Sequence, residues 1–240
     1  MGSKDYVAKT AYHGDVASHY DEHRTVQAVW ALEQEFVQRW AETRPAGTSV
    51  LDIPAGTGRF VGFFLARGMR VRAWDISEDM LAEIRRRFPD VPAAELDVRV
   101  GDAEHLPLPA DAVEHVVSWR FFHLIPVPVM DGVLREFRRV ARGTVVVQVF
   151  AVRPAGTRTT LWQAVKNRLR PLWRRFRPAG PEPWAHIASY SHREEELLAA
   201  FARAGFAAAQ THTLGVFDGL PTRVYFLERA PAGGAGGAGA

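Results

Sequence analysis

The sequence predicts an α/β protein, a three-layer sandwich around a seven-stranded, mostly parallel sheet whose last strand is antiparallel. Three observations predict this fold class. Strand-like and helix-like runs alternate along the chain, as they do in βαβ units. The run "TVVVQVFAV" at 144–152 is apolar almost throughout, which is typical of a strand buried on both faces. The turn "GVFDGLP" joins the final two strands and predicts that they form an antiparallel pair.

Strands and helices alternate in the first half of the predicted sheet. Strands are predicted at 49–53, 69–77, 96–100 and 112–119. A glycine-containing turn and a helix follow the first strand. Ser77 ends the second strand and is placed to cap the next helix.

The second half is predicted in the same way. A helix before the apolar strand carries an apolar stripe made of Val129, Met130, Val133, Leu134, Phe137 and Val140. A later helix opens with a capping box between Ser191 and Glu194 and stops at Gly205. Strands at 206–214 and 222–229 complete the sheet.

The composition is that of an ordinary globular domain, with 47% hydrophobic and 24% charged residues. There is no cysteine, which excludes disulfides, thiolate metal sites and a catalytic thiol. No apolar run approaches the roughly 20 residues of a membrane-spanning helix, and the N-terminus lacks the apolar core of a signal peptide. A cytoplasmic protein is therefore expected. The net charge of +3 is too small to indicate nucleic-acid binding.

The predicted domain organisation has a central domain with additions. Residues 1–48 are expected to form an N-terminal helical cap, through an amphipathic helix at 24–42 that covers the sheet. Residues 49–229 form the α/β domain, with an insertion at 153–190 after the fifth strand. The Gly- and Ala-rich tail at 230–240 is expected to be disordered.

Acids and glycines mark the ends of the first two strands. Asp52 precedes a turn that contains Gly56 and Gly58, and Asp75 ends the second strand. In open α/β sheets the ligand lies at the carboxyl ends of the strands, and the first turn brings the backbone closest to it. Glycines remove the Cβ atoms that would block this approach, and a carboxylate at Asp75 can accept both hydroxyls of a ribose. A turn that only connects strand to helix explains the glycines equally well, but not the two acids.

The turn departs from the dinucleotide-binding fingerprint. That fingerprint needs a third glycine where Val61 stands, and Gly62 comes one residue late. A further acid, Asp102, follows the third strand and can accept from the exocyclic amine of an adenine. A ribose acid and an adenine acid without a pyrophosphate fingerprint indicate a mononucleoside ligand, which S-adenosylmethionine fits best.

Motifs in a fixed order carry a resemblance to a known family. They are "LDIPAGTGRF", "VRAWDIS", "VGDAEHLPLP", "AVEHVVSW" followed by "RFFHLI", "LREFRRVAR" and "YSHREEELLAAFARAGF". Over residues 49–229 the chain resembles the class I S-adenosylmethionine-dependent methyltransferases, in particular the small-molecule type 11 and type 25 domains. The resemblance implies a Rossmann-like sandwich, S-adenosylmethionine as cofactor and methyl transfer as activity.

The resemblance also implies a set of cofactor-binding residues. These are Asp52, Pro54, Ala55, Gly56, Gly58, Asp75, Ile76, Asp102 and Ala103. In such a site Asp52 and the turn at 56–58 surround the methionine moiety, Asp75 holds the ribose, and Asp102 with the Ala103 backbone reads the adenine. Pro54 stands where the family usually has its first glycine, and so makes this turn stiffer.

Candidate catalytic residues are few. Transfer from a sulfonium needs no acid for the leaving group, although an oxygen acceptor needs a base. His123, just beyond the fourth strand, is the candidate base; a histidine that is simply exposed or hydrogen-bonded inside the fold is the alternative. Tyr20 resembles an N-terminal tyrosine that such enzymes place near the cofactor; an aromatic that only packs is the alternative.

The segment after the fourth strand reads "SWRFFHL", without the Asn or Asp, prolines and aromatic typical of nucleobase-amine methyltransferases. A small-molecule or lipid acceptor is therefore expected, by O- or N-methylation, and nucleic acid is disfavoured. Within the insertion, residues 162–177 combine aromatic side chains with six basic ones and no acid. They are interpreted as a lid, as a peripheral contact with an anionic membrane, or as a site for an anionic substrate.

Two other functions fit the same residues. A protein that binds the cofactor without catalysis would act as a scaffold or regulator. An enzyme of another kind would use the sulfonium for a reaction other than methylation.

Overall fold

The computed structural model describes residues 28–154, 190–217 and 219–231. The helices are α1 (Ala28–Glu42), α2 (Val61–Ala66), α3 (Glu78–Arg87), α4 (Val127–Val140) and α5 (Glu194–Arg203), with a short 3₁₀ helix at Phe122–Leu124. The strands are β1 (Ser49–Asp52), β2 (Arg70–Asp75), β3 (Leu96–Val100), β4 (His115–Ser118), β5 (Val145–Val149), β6 (Phe206–Phe217) and β7 (Leu220–Arg229).

The seven strands form one sheet in the order β3-β2-β1-β4-β5-β7-β6. The strands from β1 to β5 pair in parallel, and β7 is antiparallel to both β5 and β6. The strand order reverses between β1 and β4, and this reversal is where open α/β sheets bind their ligands. The predicted fold class, including the antiparallel last strand, is confirmed.

Helices cover the sheet on both faces. On one face α4 and α5 pack on the sheet through residues such as Met130, Phe137 and Phe201. On the other face α1, α2 and α3 do so through residues such as Trp40, Phe64 and Ile84. All five residues of β5 are buried, because helices lie on both sides of that strand. The apolar stripe predicted for α4 is buried in full.

Of the two helix caps predicted from the sequence, one is found in the structure and the other is not. The Ser77 hydroxyl accepts a hydrogen bond from the Met80 N–H at 3.4 Å, as predicted for the cap of α3. The capping box predicted between Ser191 and Glu194 is wrong. The Ser191 hydroxyl donates instead to the Ala151 carbonyl, and Glu196 accepts from the Arg193 N–H at 3.1 Å. The helix therefore begins later than predicted, because the preceding residues pair with the chain after β5.

Several predictions fall on residues whose structure is not described. They concern Tyr20 and the rest of the cap before residue 28, the insertion over 155–189 with its basic segment 162–177, and the tail from residue 232. The cap helix was predicted at 24–42. Residues 24–27 lie outside the described ranges, and α1 covers the rest of the predicted helix. In the part of the chain that is described, no helix combines the length and apolar character needed to cross a membrane.

Candidate cofactor and active site

A cleft of about 820 Å³, partly open to solvent, lies at the carboxyl ends of the central strands. Its lining is contributed by α1, the β1–α2 turn, the end of β2, the start of α3 and the segment after β4. The lining residues are Trp30, Asp52, Pro54, Ala55, Gly56, Thr57, Arg59, Phe60, Asp75, Ile76, Met80, Trp119, Arg120, Phe121 and Leu124.

The turn after β1 is held in shape by its own backbone. The Ala55 N–H donates to the Trp74 carbonyl at 2.8 Å, and the Gly58 N–H donates to the Ala55 carbonyl at 3.0 Å. Gly56 and Gly58 have φ angles of +55° and +76°, in the left-handed region that favours glycine. The Ile53–Pro54 peptide bond is cis. The turn therefore needs glycine at both positions.

The two glycines face different surroundings. A Cβ on Gly56 would meet no atom within 4 Å, so its α-carbon faces open space. A Cβ on Gly58 would come within 2.7 Å of Ile84 Cγ1 in α3. Gly56 therefore leaves room for a ligand, whereas Gly58 permits the close approach of helix α3.

Asp75 links the end of β2 to the glycine turn. Its Oδ2 accepts from the Gly56 N–H at 2.8 Å, and its Oδ1 accepts from the Ser77 N–H at 2.9 Å. The side chain is buried, yet it lines the cleft. A carboxylate at this point is both an anchor of the turn and an acceptor that a ligand hydroxyl can reach.

Asp52 is a buried acid at the end of β1. Only 1% of the residue is exposed, and its Oδ2 has no hydrogen-bond partner among the described residues. Burial raises the pKa of the Asp52 carboxyl well above its ordinary value. The negative charge of Asp75 raises this pKa further, and the positive charge of Arg59 opposes both effects. An orphaned buried oxygen of this kind suits a cationic or hydrogen-donating ligand group.

A buried ion-pair network forms another wall of the cleft. Glu33, on α1, is fully buried, and its Oε2 accepts from Arg59 Nη1 at 2.7 Å. Arg120 Nε lies 3.0 Å and 3.1 Å from the two oxygens of the same carboxylate. The Arg59 guanidinium also stacks on the Trp30 ring, 3.4 Å from its centroid. One carboxylate on the cap helix thus holds the two arginines in place.

Arg120 is held in an unusual backbone conformation. Its φ angle is +53°, which few residues other than glycine adopt. Its N–H donates to Gln148 Oε1 at 2.9 Å, and Gln148 itself is fully buried in β5. Contacts from α1 and β5 together therefore fix this residue at the end of β4.

The structure brings many of the predicted cofactor residues together. Asp52, Pro54, Ala55, Gly56, Asp75 and Ile76 all line the cleft. Gly58, Asp102, Ala103 and His123 are outside its lining.

Asp102 lies close to the cleft, at the end of β3. Its Oδ1 accepts from the Glu104 N–H at 3.0 Å. The neighbouring Gly101 N–H donates to the Asp75 carbonyl at 2.9 Å, which places the end of β3 beside Asp75. Its role toward an adenine, with the Ala103 backbone, stays a prediction.

His123 lies in the 3₁₀ helix, next in sequence to Leu124 of the cleft lining. The residue is buried, its ring centroid lies 5.6 Å from that of Phe150, and its carbonyl accepts from the Tyr190 N–H at 2.7 Å. Its role as a base stays a prediction.

Glu33, Arg59 and Arg120 were not predicted from the sequence to belong to the site. Glu33 was visible as the one acid on an otherwise apolar helix face, which is a pattern typical of a buried ion pair. Arg120 interrupts an apolar and aromatic segment after β4. Neither feature identifies its partner, because the two residues are 87 positions apart.

Comparison with known proteins shows which family the chain resembles. Residues 50–143 match the methyltransferase domain family. This match and the similar proteins described below support a class I S-adenosylmethionine-dependent methyltransferase. S-adenosylmethionine is the cofactor of this class. The predicted resemblance is confirmed.

One curated relative and two solved structures place the domain among known proteins. Malonyl-[acyl-carrier protein] O-methyltransferase of Methylococcus capsulatus is 28% identical over 198 residues, which are 80% of this chain and 63% of the relative. The chain therefore spans less than two thirds of that relative's length.

The solved structures show similarity of fold. Magnesium protoporphyrin IX methyltransferase of Synechocystis PCC 6803, with bound SAH, has a TM-score of 0.67 and 15% identity, covering 93% of this chain and 98% of that one. Geranyl diphosphate C-methyltransferase of Streptomyces coelicolor A3(2) has a TM-score of 0.64 and 15% identity, covering 96% and 91%.

Proposed function

We propose that the protein catalyses the transfer of a methyl group from S-adenosylmethionine to a small-molecule or lipid-like acceptor. The observation that carries the proposal is the contact of Asp75 with Gly56 in a cleft that also contains the buried Asp52. This contact supports the proposed site, in which Asp75 holds the ribose and the turn tied to it approaches the cofactor closely.

The residues present fit the cofactor. The open space beside Gly56 leaves room for the methionine moiety, and the orphaned oxygen of Asp52 is an acceptor for its ammonium group. Asp75, together with Ile76, is available to the ribose. When bound, S-adenosylmethionine supplies a methyl group activated by a sulfonium.

The remaining task of the protein is to align the acceptor and to exclude water. Trp30, Phe60, Trp119 and Phe121 line the cleft and make much of its wall apolar. An apolar wall of this kind helps to exclude water and to hold the acceptor in line with the bond between the methyl carbon and sulfur. We expect the N-terminal residues before α1 to contribute to the same enclosure, with Tyr20 among them.

A base is needed only for some acceptors. A hydroxyl must lose a proton as it is methylated, whereas a carboxylate is already ionised. His123 is the proposed base for a hydroxyl acceptor, since it is adjacent to Leu124 of the cleft lining. If it acts so, His123→Gln lowers kcat for hydroxyl acceptors and leaves cofactor affinity unchanged.

The similar proteins support an acceptor that is not a nucleic acid. The relative and the two neighbours are named for malonyl-acyl carrier protein, a magnesium porphyrin and geranyl diphosphate. We propose that the methylated atom of the acceptor is an oxygen or a nitrogen. We also propose a cytoplasmic location, with peripheral membrane contact through residues 162–177.

The proposal is tested by following the transfer of labelled methyl from S-adenosylmethionine. The acceptor pools are carboxylic acids, phenols, amines and prenyl phosphates, each incubated with the wild type and with Asp75→Asn. We expect label in at least one pool with the wild type and at least tenfold less with the variant. Equal labelling by both proteins would contradict the proposed site, and a cofactor that binds without labelling any pool would favour the scaffold.

A further inference from the structure

Asp52 and Asp75, the two acids among the described lining residues of the cleft, differ in how their carboxyl groups are held. Each oxygen of Asp75 accepts a backbone hydrogen bond, at 2.8 Å and 2.9 Å, and such bonds favour the ionised form of a carboxyl group. Oδ2 of Asp52 has no hydrogen-bond partner among the described residues, and the residue is buried. A negative charge on Asp52 is therefore poorly compensated.

The charged groups around Asp52 act in both directions. Asp75 ends the neighbouring strand β2, and its negative charge disfavours a second anion beside it. Arg59, in the turn after β1, opposes this effect, and it also pairs with the buried carboxylate of Glu33 at 2.7 Å. Arg120, after the neighbouring strand β4, pairs with the same carboxylate. Burial first, and Asp75 next, raise the pKa of Asp52 well above its ordinary value.

A cationic ligand group beside Asp52 reverses this balance. In the proposed cofactor site, Oδ2 of Asp52 is the acceptor for the ammonium group of the methionine moiety. An ammonium group favours the ionised carboxylate through its positive charge and its N–H donors. The amino group of the cofactor is already an ammonium below about pH 7. A protonated Asp52 must therefore lose its proton to form this ion pair.

We propose that Asp52 is the proton-exchanging residue of the cofactor site, protonated in the free protein and releasing its proton to solvent when the cofactor binds. The O–H bond of the carboxyl group breaks, the proton passes to water or buffer, and the carboxylate accepts from the ammonium group. Cofactor affinity therefore rises by up to about tenfold for each unit of pH until the carboxyl group of the free protein is itself ionised. The inference rests on the proposed function, since it concerns the same cofactor site.

Calorimetry in two buffers counts the released protons. S-adenosylhomocysteine is titrated into the full chain at about pH 5.5, in acetate and in MES, whose ionisation enthalpies differ. The difference in binding heat, divided by the difference in ionisation enthalpy, gives the number of protons released. 5′-Methylthioadenosine is the ligand control, because it has the same nucleoside but no ammonium group. Asp52→Asn removes the titrating group, and Asp90→Asn is the matched control, because Asp90 is exposed.

With S-adenosylhomocysteine, we expect the wild type and Asp90→Asn each to release at least about half a proton per ligand bound. Asp52→Asn with the same ligand, and the wild type with 5′-methylthioadenosine, should each release at least fivefold less. A smaller release by the wild type, equal release by Asp52→Asn, or equal release with both ligands would overturn the inference. Failure of the wild type to bind S-adenosylhomocysteine would instead overturn the proposed function.

The pH dependence of wild-type affinity decides the matter if Asp52→Asn is unfolded or binds too weakly for calorimetry. Between about pH 5.5 and pH 7, we expect S-adenosylhomocysteine to bind more tightly as pH rises and 5′-methylthioadenosine to bind with constant affinity. An affinity for S-adenosylhomocysteine that does not change with pH would overturn the inference. Parallel changes for the two ligands would do the same, because they would assign the titration to a group that does not contact the ammonium.

Discussion

The Asp75 carboxylate accepts a hydrogen bond from the Gly56 N–H at 2.8 Å, so the acid that ends β2 is tied to the turn that follows β1. These residues are 19 positions apart in the chain. The contact joins two strands at the edge where the strand order reverses. It therefore fixes the shape of the cleft before any ligand is present.

The two glycines of the turn are expected to respond differently to alanine. Gly58→Ala should lower the free energy of unfolding by about 2–5 kcal/mol, because its Cβ would overlap Ile84 and the left-handed conformation would be strained. Gly56→Ala should cost only about 1–2 kcal/mol, since its Cβ meets no atom. It should nevertheless weaken S-adenosylhomocysteine about tenfold by filling the cleft. Urea unfolding and calorimetry measure both effects; equal stability losses would contradict the assignment.

Because Asp52 at the end of β1 is buried, we expect the stability difference between the wild type and Asp52→Asn to depend on pH. The pKa of Asp52 is raised in the folded state, so its contribution to stability is fully present below about pH 4 and is lost as pH rises through the folded pKa. Asp52→Asn removes this titration. The melting temperature of the variant minus that of the wild type should therefore increase from pH 4 upward and then level off.

Thermal melting from pH 4 to pH 9 tests this expectation. Asp90→Asn is the matched control, because Asp90 is exposed. A difference that stays constant with pH for Asp52→Asn would contradict the raised pKa. The same variant should also bind S-adenosylhomocysteine more weakly, since the acceptor for the ammonium group loses its charge.

The buried carboxylate of the cap helix is expected to be essential for stability. Glu33→Gln leaves the guanidinium groups of Arg59 and Arg120 buried without their shared anion, and it should cost about 3–5 kcal/mol. Glu35→Gln, on the same helix, breaks an exposed pair with Arg39 and should cost no more than about 0.5 kcal/mol. Both values come from urea unfolding, and comparable losses would show that the buried network does not stabilise the cap.

Those parts of the fold that depend on residues close together in the sequence could be predicted. The apolar stripe of α4, the cap at Ser77 and the run of β5 are each encoded within about fifteen residues, and each is found in the structure. The start of α5 was misplaced, because the Ser191 hydroxyl pairs with Ala151, a residue 40 positions earlier. A local pattern cannot reveal a competing partner of that kind.

The cleft likewise contains residues that could be predicted from the sequence and residues that could not. Asp52, Gly56 and Asp75 were predictable because their position at strand ends follows from the order of strands. The network of Glu33 with Arg59 and Arg120 was not, since it joins the cap helix to segments 26 and 87 positions away. Only the packing of α1 against the sheet brings these charges together.

The central claim is that the cleft beside Asp75 and Gly56 binds S-adenosylmethionine, and calorimetric titration with S-adenosylhomocysteine tests it most directly. We predict micromolar binding by the wild type and at least tenfold weaker binding by Asp75→Asn, whose amide can no longer accept from both the Gly56 and Ser77 N–H groups. NADH should not bind to either protein. Absence of S-adenosylhomocysteine binding, or equal affinity in the wild type and the variant, would contradict the account.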